Sequence, residues 1–100
     1  MKVISSNVFI KWLDKLKDRR AVARINKRIT RLSKGNAGDH KFLGDDISEM
    51  RIDYGTGYRI YYMEFQKKII ILLCGGDKTT QQADIKSAQK IAKKYREKEL

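Results

Sequence analysis

The chain has 100 residues with one cysteine, one histidine and no proline, and its 23 lysines and arginines against 12 acidic residues give a net charge of +11. That composition excludes an internal disulfide, and a single histidine with a single cysteine argues against a His/Cys metal site. No apolar run approaches the roughly 20 residues of a membrane span, and the opening MKVISSNVF lacks a signal-peptide core, so the expectation is a cytoplasmic protein.

The length fits one domain, 1–100, able to bury roughly 60–70% of its unfolded surface. Residues 2-KVIS-5 read as a short first strand. Asn7 is a plausible N-cap for a helix over about 8–19, with Phe9, Trp12, Leu13 and Leu16 on one face. A second helix over about 20–34 carries the stripe Val22, Ile25, Ile29, Leu32, and Gly35 supplies its left-handed cap. The outer sides of the two helices are basic: Lys15, Arg19, Arg20, Arg24, Lys27, Arg28 and Arg31. Residues 40-HKFL-43 suit a short strand, and three more follow over about 47–54, 58–65 and 69–74. Cys74 closes the apolar run 69-IIILLC-74 and reads as a buried, inert thiol. Gly75-Gly76-Asp77-Lys78 ends that strand, and Thr79 with Gln82 has capping-box spacing. A last helix over about 80–98 sets Ile85, Ala88, Ile91, Ala92 and Tyr95 on one face and lysines on the other. The order β-α-α-β-β-β-β-α defines an α+β domain with a mainly antiparallel sheet of four to five strands.

The segment 51-RIDYGTGYRIYYMEF-65 is a hairpin pattern. With Gly55-Thr56-Gly57 as a three-residue loop, Asp53 opposes Arg59, Ile52 opposes Ile60 and Arg51 opposes Tyr61. One face then holds Met50, Ile52, Tyr54, Tyr58, Ile60 and Tyr62, ready to pack on helices. The other holds Arg51, Asp53, Arg59 and Tyr61 and is open or half covered. Gly75-Gly76 before Lys78 reads as a place where backbone and side chain approach a ligand closely.

The charge is uneven. Residues 1–34 carry 11 basic and 2 acidic groups, 35–66 carry 3 and 6, and 67–100 carry 9 and 4. Such a field attracts a polyanion, nucleic acid first and an acidic protein second, with a solubilising surface as the plain alternative.

The stretches 9-FIKWLDKLKDRRAVARINKRITRL-32, 48-SEMRIDYGTGYRIYY-62 and 72-LLCGGDKTTQ-81, in this order, resemble the RelE/HigB-type toxins of bacterial toxin–antitoxin pairs. The closest likeness is to the addiction module killer protein (phage Gp49-like) branch of the RelE/ParE superfamily. The resemblance implies a RelE-like, microbial-RNase-like domain: two N-terminal helices on a curved sheet, plus a C-terminal helix. It implies a toxin of a type II module that cuts mRNA on the ribosome without metal or other cofactor. It further implies a HigA-like helix-turn-helix antitoxin as partner, with operator DNA reached only through that antitoxin and no membrane involved.

Carried over by motif position, Arg59 clamps the scissile phosphate, Arg51 assists from the preceding strand, and Lys78 stabilises charge just past the last strand. His40, Tyr61 and Asp77 are further catalytic candidates. The basic helix residues would hold ribosomal RNA. Two positions depart from the family: Asp84 stands where RelE has a catalytic tyrosine, and Leu43 where HigB has a cleft lysine, with Lys41 nearby. Two other functions remain open on this reading. One is a ParE-like inhibitor of DNA gyrase; the other is a non-catalytic nucleic-acid-binding module.

Overall fold

A computed structural model describes residues 1–98. Its elements are β1 (Lys2–Ser5), α1 (Asn7–Lys15), α2 (Arg19–Ser33), β2 (His40–Gly44), β3 (Ile47–Ile52), β4 (Tyr58–Phe65), β5 (Ile69–Asp77), a 3-10 turn (Lys78–Thr80) and α3 (Gln81–Glu97). The five strands form one sheet in the order β1-β5-β4-β3-β2. Only the β1–β5 pair is parallel. This is the α+β, mainly antiparallel arrangement expected from the element order, and it is consistent with the RelE-like fold that the resemblance implies.

The helices divide between the two faces of the sheet. Phe9 of α1 and Ile25 and Leu32 of α2 pack on Met50, Ile52, Ile60, Tyr62, Ile70 and Leu72. Ala88 and Ala92 of α3 pack on Ile47, Tyr61, Met63, Ile71 and Leu73 of the other face. Alternation along each strand produces the two sets. A bulge in β5, where Tyr61 pairs with Cys74 and Tyr62 with Leu72, turns Leu73 and Cys74 to the same side. Among the described residues no helix is long and apolar enough to cross a membrane.

Local caps set the helix bounds, and they differ from expectation at three points. Ser6, not Asn7, caps α1: its Oγ accepts the Phe9 N–H at 3.0 Å and donates to the Leu73 carbonyl at 2.6 Å. That second bond ties the helix start to β5, which Asn7 on the exposed side cannot do. α1 stops at Lys15 rather than near Arg19, because Asp18 accepts the Arg20 and Ala21 N–H groups and starts α2. The last cap is Asp77 with Thr80, two residues earlier than the Thr79–Gln82 box. The end of α2 agrees with expectation: Gly35 has φ +90°, and the bonds Gly35 N–H to Leu32 O and Asn36 N–H to Arg31 O form a Schellman motif.

β5 runs through Gly75 and Gly76 to Asp77 instead of ending at Cys74. The glycines serve packing on both faces. A Cβ on Gly75 would lie 2.4 Å from the Trp12 ring, and one on Gly76 would lie 1.8 Å from Asp84 Oδ2. They let α1 and the start of α3 press onto the sheet, so close approach is made by helices, not reserved for a ligand.

Candidate active site

The β3–β4 hairpin has a five-residue loop, 53–57, and its register is two residues away from the expected one. Arg51 opposes Arg59, Ile52 opposes Tyr58, and Glu49 opposes Tyr61. A slip of two preserves the faces but changes the partners. Asp53 leaves the ladder and stands exposed at the loop start.

Two arginines directly opposed repel each other, so something must hold them. That group is Glu49, fully buried on the same face, which the sequence reading passed over. Its Oε1 accepts from Arg51 Nε at 3.1 Å and lies 3.6 Å from Arg59 Nη1. Its Oε2 accepts from the Tyr61 hydroxyl at 3.0 Å and from Gln81 Nε2 at 2.9 Å. Burial alone pushes this carboxyl's pKa up. The bonds from Arg51, Tyr61 and Gln81, with the charge of Arg59, outweigh burial and hold it below the usual carboxylate range.

α3 covers this face only from Gln81 onward. Where its cover ends, a cleft of about 180 Å³ opens, with Arg51, Arg59 and Lys78 on its walls beside Asp39, Asp53, Gly57 and Tyr58. The Arg59 side chain is 15% exposed and that of Arg51 36%. Arg59 Nε is buried and has no hydrogen-bond partner. Lys78 follows the Asp77 cap, and its chain lies across Gly57: a Cβ there would sit 2.7 Å from Lys78 Cε. Gly57 also has φ +80°, so this position both turns the chain and leaves the lysine its path.

The structure therefore brings Arg51, Arg59 and Lys78 together and sets the other three candidates apart. His40, the first residue of β2, pairs with Met50 of β3 and lines a separate cavity with Met1, Leu32 and Tyr62, its Nδ1 2.8 Å from the Gly38 carbonyl. Tyr61 is fully buried beneath α3, and burial, then its bond to Glu49, pushes its phenol pKa far up. Asp77 is a cap, its carboxyl held below the usual range by the Thr79 hydroxyl and N–H. Cys74 is buried with its thiol pushed up to about 12, first by burial and then by the charge of Asp84. Among the described residues no three His, Cys, Asp or Glu side chains gather as a metal site.

The basic helix residues also separate by role. Lys15, Arg19, Arg20, Arg24, Lys27 and Arg31 are exposed. Arg24 stacks over the Tyr54 ring at 4.6 Å, and Arg24, Lys27 and Arg31 line a groove of about 320 Å³ against Ile52 and Asp53. Arg28 lines it too but is committed inward. Its guanidinium donates to the carbonyls of Arg51 at 2.6 Å, Ala37 at 2.9 Å and Asp39 at 3.2 Å. Gly38 makes room for it, since a Cβ there would lie 2.8 Å from Arg28 Nη2.

Residues 11–96 match the family model described as Phage derived protein Gp49-like (DUF891). A protein of Haemophilus influenzae, described only as uncharacterized, is 50% identical over 92 residues, which is 92% of this chain and 93% of that protein. Both likenesses span the hairpin, the cleft and most of α3, so the chain belongs to the Gp49-like family, a family associated with toxin–antitoxin modules.

Proposed function

We propose that the chain is the toxin of a type II toxin–antitoxin module, a HigB-like, ribosome-dependent endoribonuclease of the RelE group. The observation that carries this reading is the convergence of Arg51, Arg59 and Lys78 on one cleft at the uncovered end of the sheet. Three cations around a small hollow suit a phosphodiester whose charge grows as it reacts.

In this reading the RNA ribose 2′-oxygen attacks the adjacent phosphorus, and the bond to the 5′-oxygen breaks. The products are a 2′,3′-cyclic phosphate and a 5′-hydroxyl, so one proton leaves the 2′-hydroxyl and one arrives on the 5′-oxygen. Arg59 and Arg51 hold the non-bridging oxygens. The Lys78 ammonium stands beside the leaving oxygen and stabilises its charge. Asp39 and Asp53 are the carboxylates on the cleft wall; one of them accepts the 2′-hydroxyl proton, and water delivers the proton that the 5′-oxygen takes up. The exposed cations of α1 and α2 seat the protein on ribosomal RNA, and a HigA-like antitoxin neutralises it.

The test is to induce the protein and map mRNA 5′ ends. Cuts inside translated codons that carry 5′-hydroxyl groups are expected. Intact mRNA with a block in replication would overturn the reading in favour of a gyrase inhibitor.

A further inference from the structure

We propose that Glu49 is a positioning residue of the cleft: its carboxylate holds Arg51 and Arg59 side by side so that both guanidinium groups meet one phosphate. This rests on the reading of the cleft given above. Glu49 is fully buried and cannot touch RNA itself. Its two oxygens are divided. Oε2 is fixed by two neutral donors from different elements, Tyr61 of β4 and Gln81 of α3. Oε1 is thereby aimed at the two arginines, which the register places directly opposite each other.

The geometry leaves the Arg59 guanidinium lightly committed. Its contact with Glu49 runs through Nη1 at 3.6 Å, its side chain stays 15% exposed, and its buried Nε has no partner. A bidentate pair would have satisfied the arginine and closed it to a ligand. Here the carboxylate restrains the side chain without consuming its donors. Arg51 is held more tightly, at 3.1 Å, and by its carbonyl's bond to Arg28. Without the buried charge the two cations would move apart.

The experiment compares wild type, Glu49→Gln, Glu49→Asp and Tyr61→Phe, the last removing one bond to Oε2 while keeping the ring. Glu49→Gln is expected to lower kcat for ribosomal mRNA cleavage about a hundredfold, as misplaced clamps do, while KM changes by less than about threefold. Glu49→Asp should recover part of the rate. Tyr61→Phe should lose less, in the same direction, and it decides the matter if Glu49→Gln does not fold. The second readout is the Nε–H NMR signals of Arg51 and Arg59, which should shift and exchange faster in Glu49→Gln and in Tyr61→Phe. An unchanged kcat overturns the proposal, as does a lost kcat with both arginine signals unmoved. If wild type cuts no mRNA, the nuclease reading fails by itself. Titration with inorganic phosphate then decides for Glu49: weaker binding in Glu49→Gln supports it, and equal binding overturns it.

Discussion

Arg24, Lys27 and Arg31 on α2 line a groove, and Arg51 and Arg59 on the sheet line a cleft, that meet at Ile52 and Asp53, yet the two sets are held in opposite ways. The α2 side chains stand exposed, and among the described residues none lies within ion-pair distance of a carboxylate. Arg51 and Arg59 converge on one buried carboxylate whose orientation Tyr61 and Gln81 fix. The first arrangement suits contacts with many phosphates, where position is loose and salt competes. The second suits one phosphate at one place, where a small displacement is costly. Arg28 joins the two regions: it lies on α2 but bonds to the backbone of Arg51.

The comparison breaks most readily at Arg59. Arg59→Ala is expected to reduce mRNA cleavage about a hundred- to a thousandfold, the range for losing a preorganised charge contact. The rate of appearance of 5′-hydroxyl ends measures it, with circular dichroism to show that the fold persists. Arg59→Lys should recover little, because an ammonium cannot reproduce the planar fork. A folded Arg59→Ala protein with full activity would remove the cleft from the mechanism.

Arg28→Ala comes next and separates Arg28 from its neighbours. Three bonds from one half-buried guanidinium to backbone carbonyls hold the 37–39 segment and β3 against α2. Their loss should cost about 2–3 kcal/mol, given that a hydrogen bond to a charged group contributes roughly 1.5–3 kcal/mol and neighbours are not additive. Urea unfolding reads this directly. A change under about 0.5 kcal/mol, the usual range for surface sites, would return Arg28 to the exposed group.

These two residues also show what the sequence made legible. The α2 stripe of Val22, Ile25, Ile29 and Leu32 follows from spacing alone, and so do the two faces of β3 and β4, because a two-residue slip leaves a period of two unchanged. The pairing itself did not follow. Gly55-Thr56-Gly57 reads as a three-residue loop, but Asp53 and Tyr54 join it, and Arg51 meets Arg59 instead of Tyr61. Glu49 was missed for a related reason. Its alternation with Met50 marks it as opposite the α1/α2 core, which in an antiparallel sheet usually means solvent. Only the docking of α3 buries it, and nothing in the α3 stripe tells which face of the sheet that helix covers. Arg28 looked like any other cation on α2, since its partners are carbonyls more than eight residues away in sequence.

A smaller effect is expected on the exposed side of the comparison. Replacing Lys27 and Arg31 together with alanine should leave unfolding stability within about 0.5 kcal/mol. Binding to an RNA oligonucleotide should weaken, and the slope of log affinity against log salt should flatten by about one for each side chain removed. Anisotropy across a salt series measures both. An unchanged slope would mean that these cations make no phosphate contact.

The smallest effect lies in the acid response of Glu49. Its folded-state pKa is below the ordinary carboxylate value, so its ionised contacts stabilise the fold above the unfolded pKa, about 4.3 for glutamate. That stabilisation is lost as pH falls through the folded pKa, where the native state takes up the proton. Asp77 is also depressed, but it is the same in wild type and Glu49→Gln and cancels in their difference. The stability gap between the two proteins should therefore be constant above about pH 5 and shrink on further acidification, as urea unfolding across pH would show. A gap that widens toward acid would mean that the buried carboxyl binds its proton more readily in the folded state. The arginines would then fail to compensate the burial of that charge, and the contrast between held and exposed cations would lose its electrostatic basis.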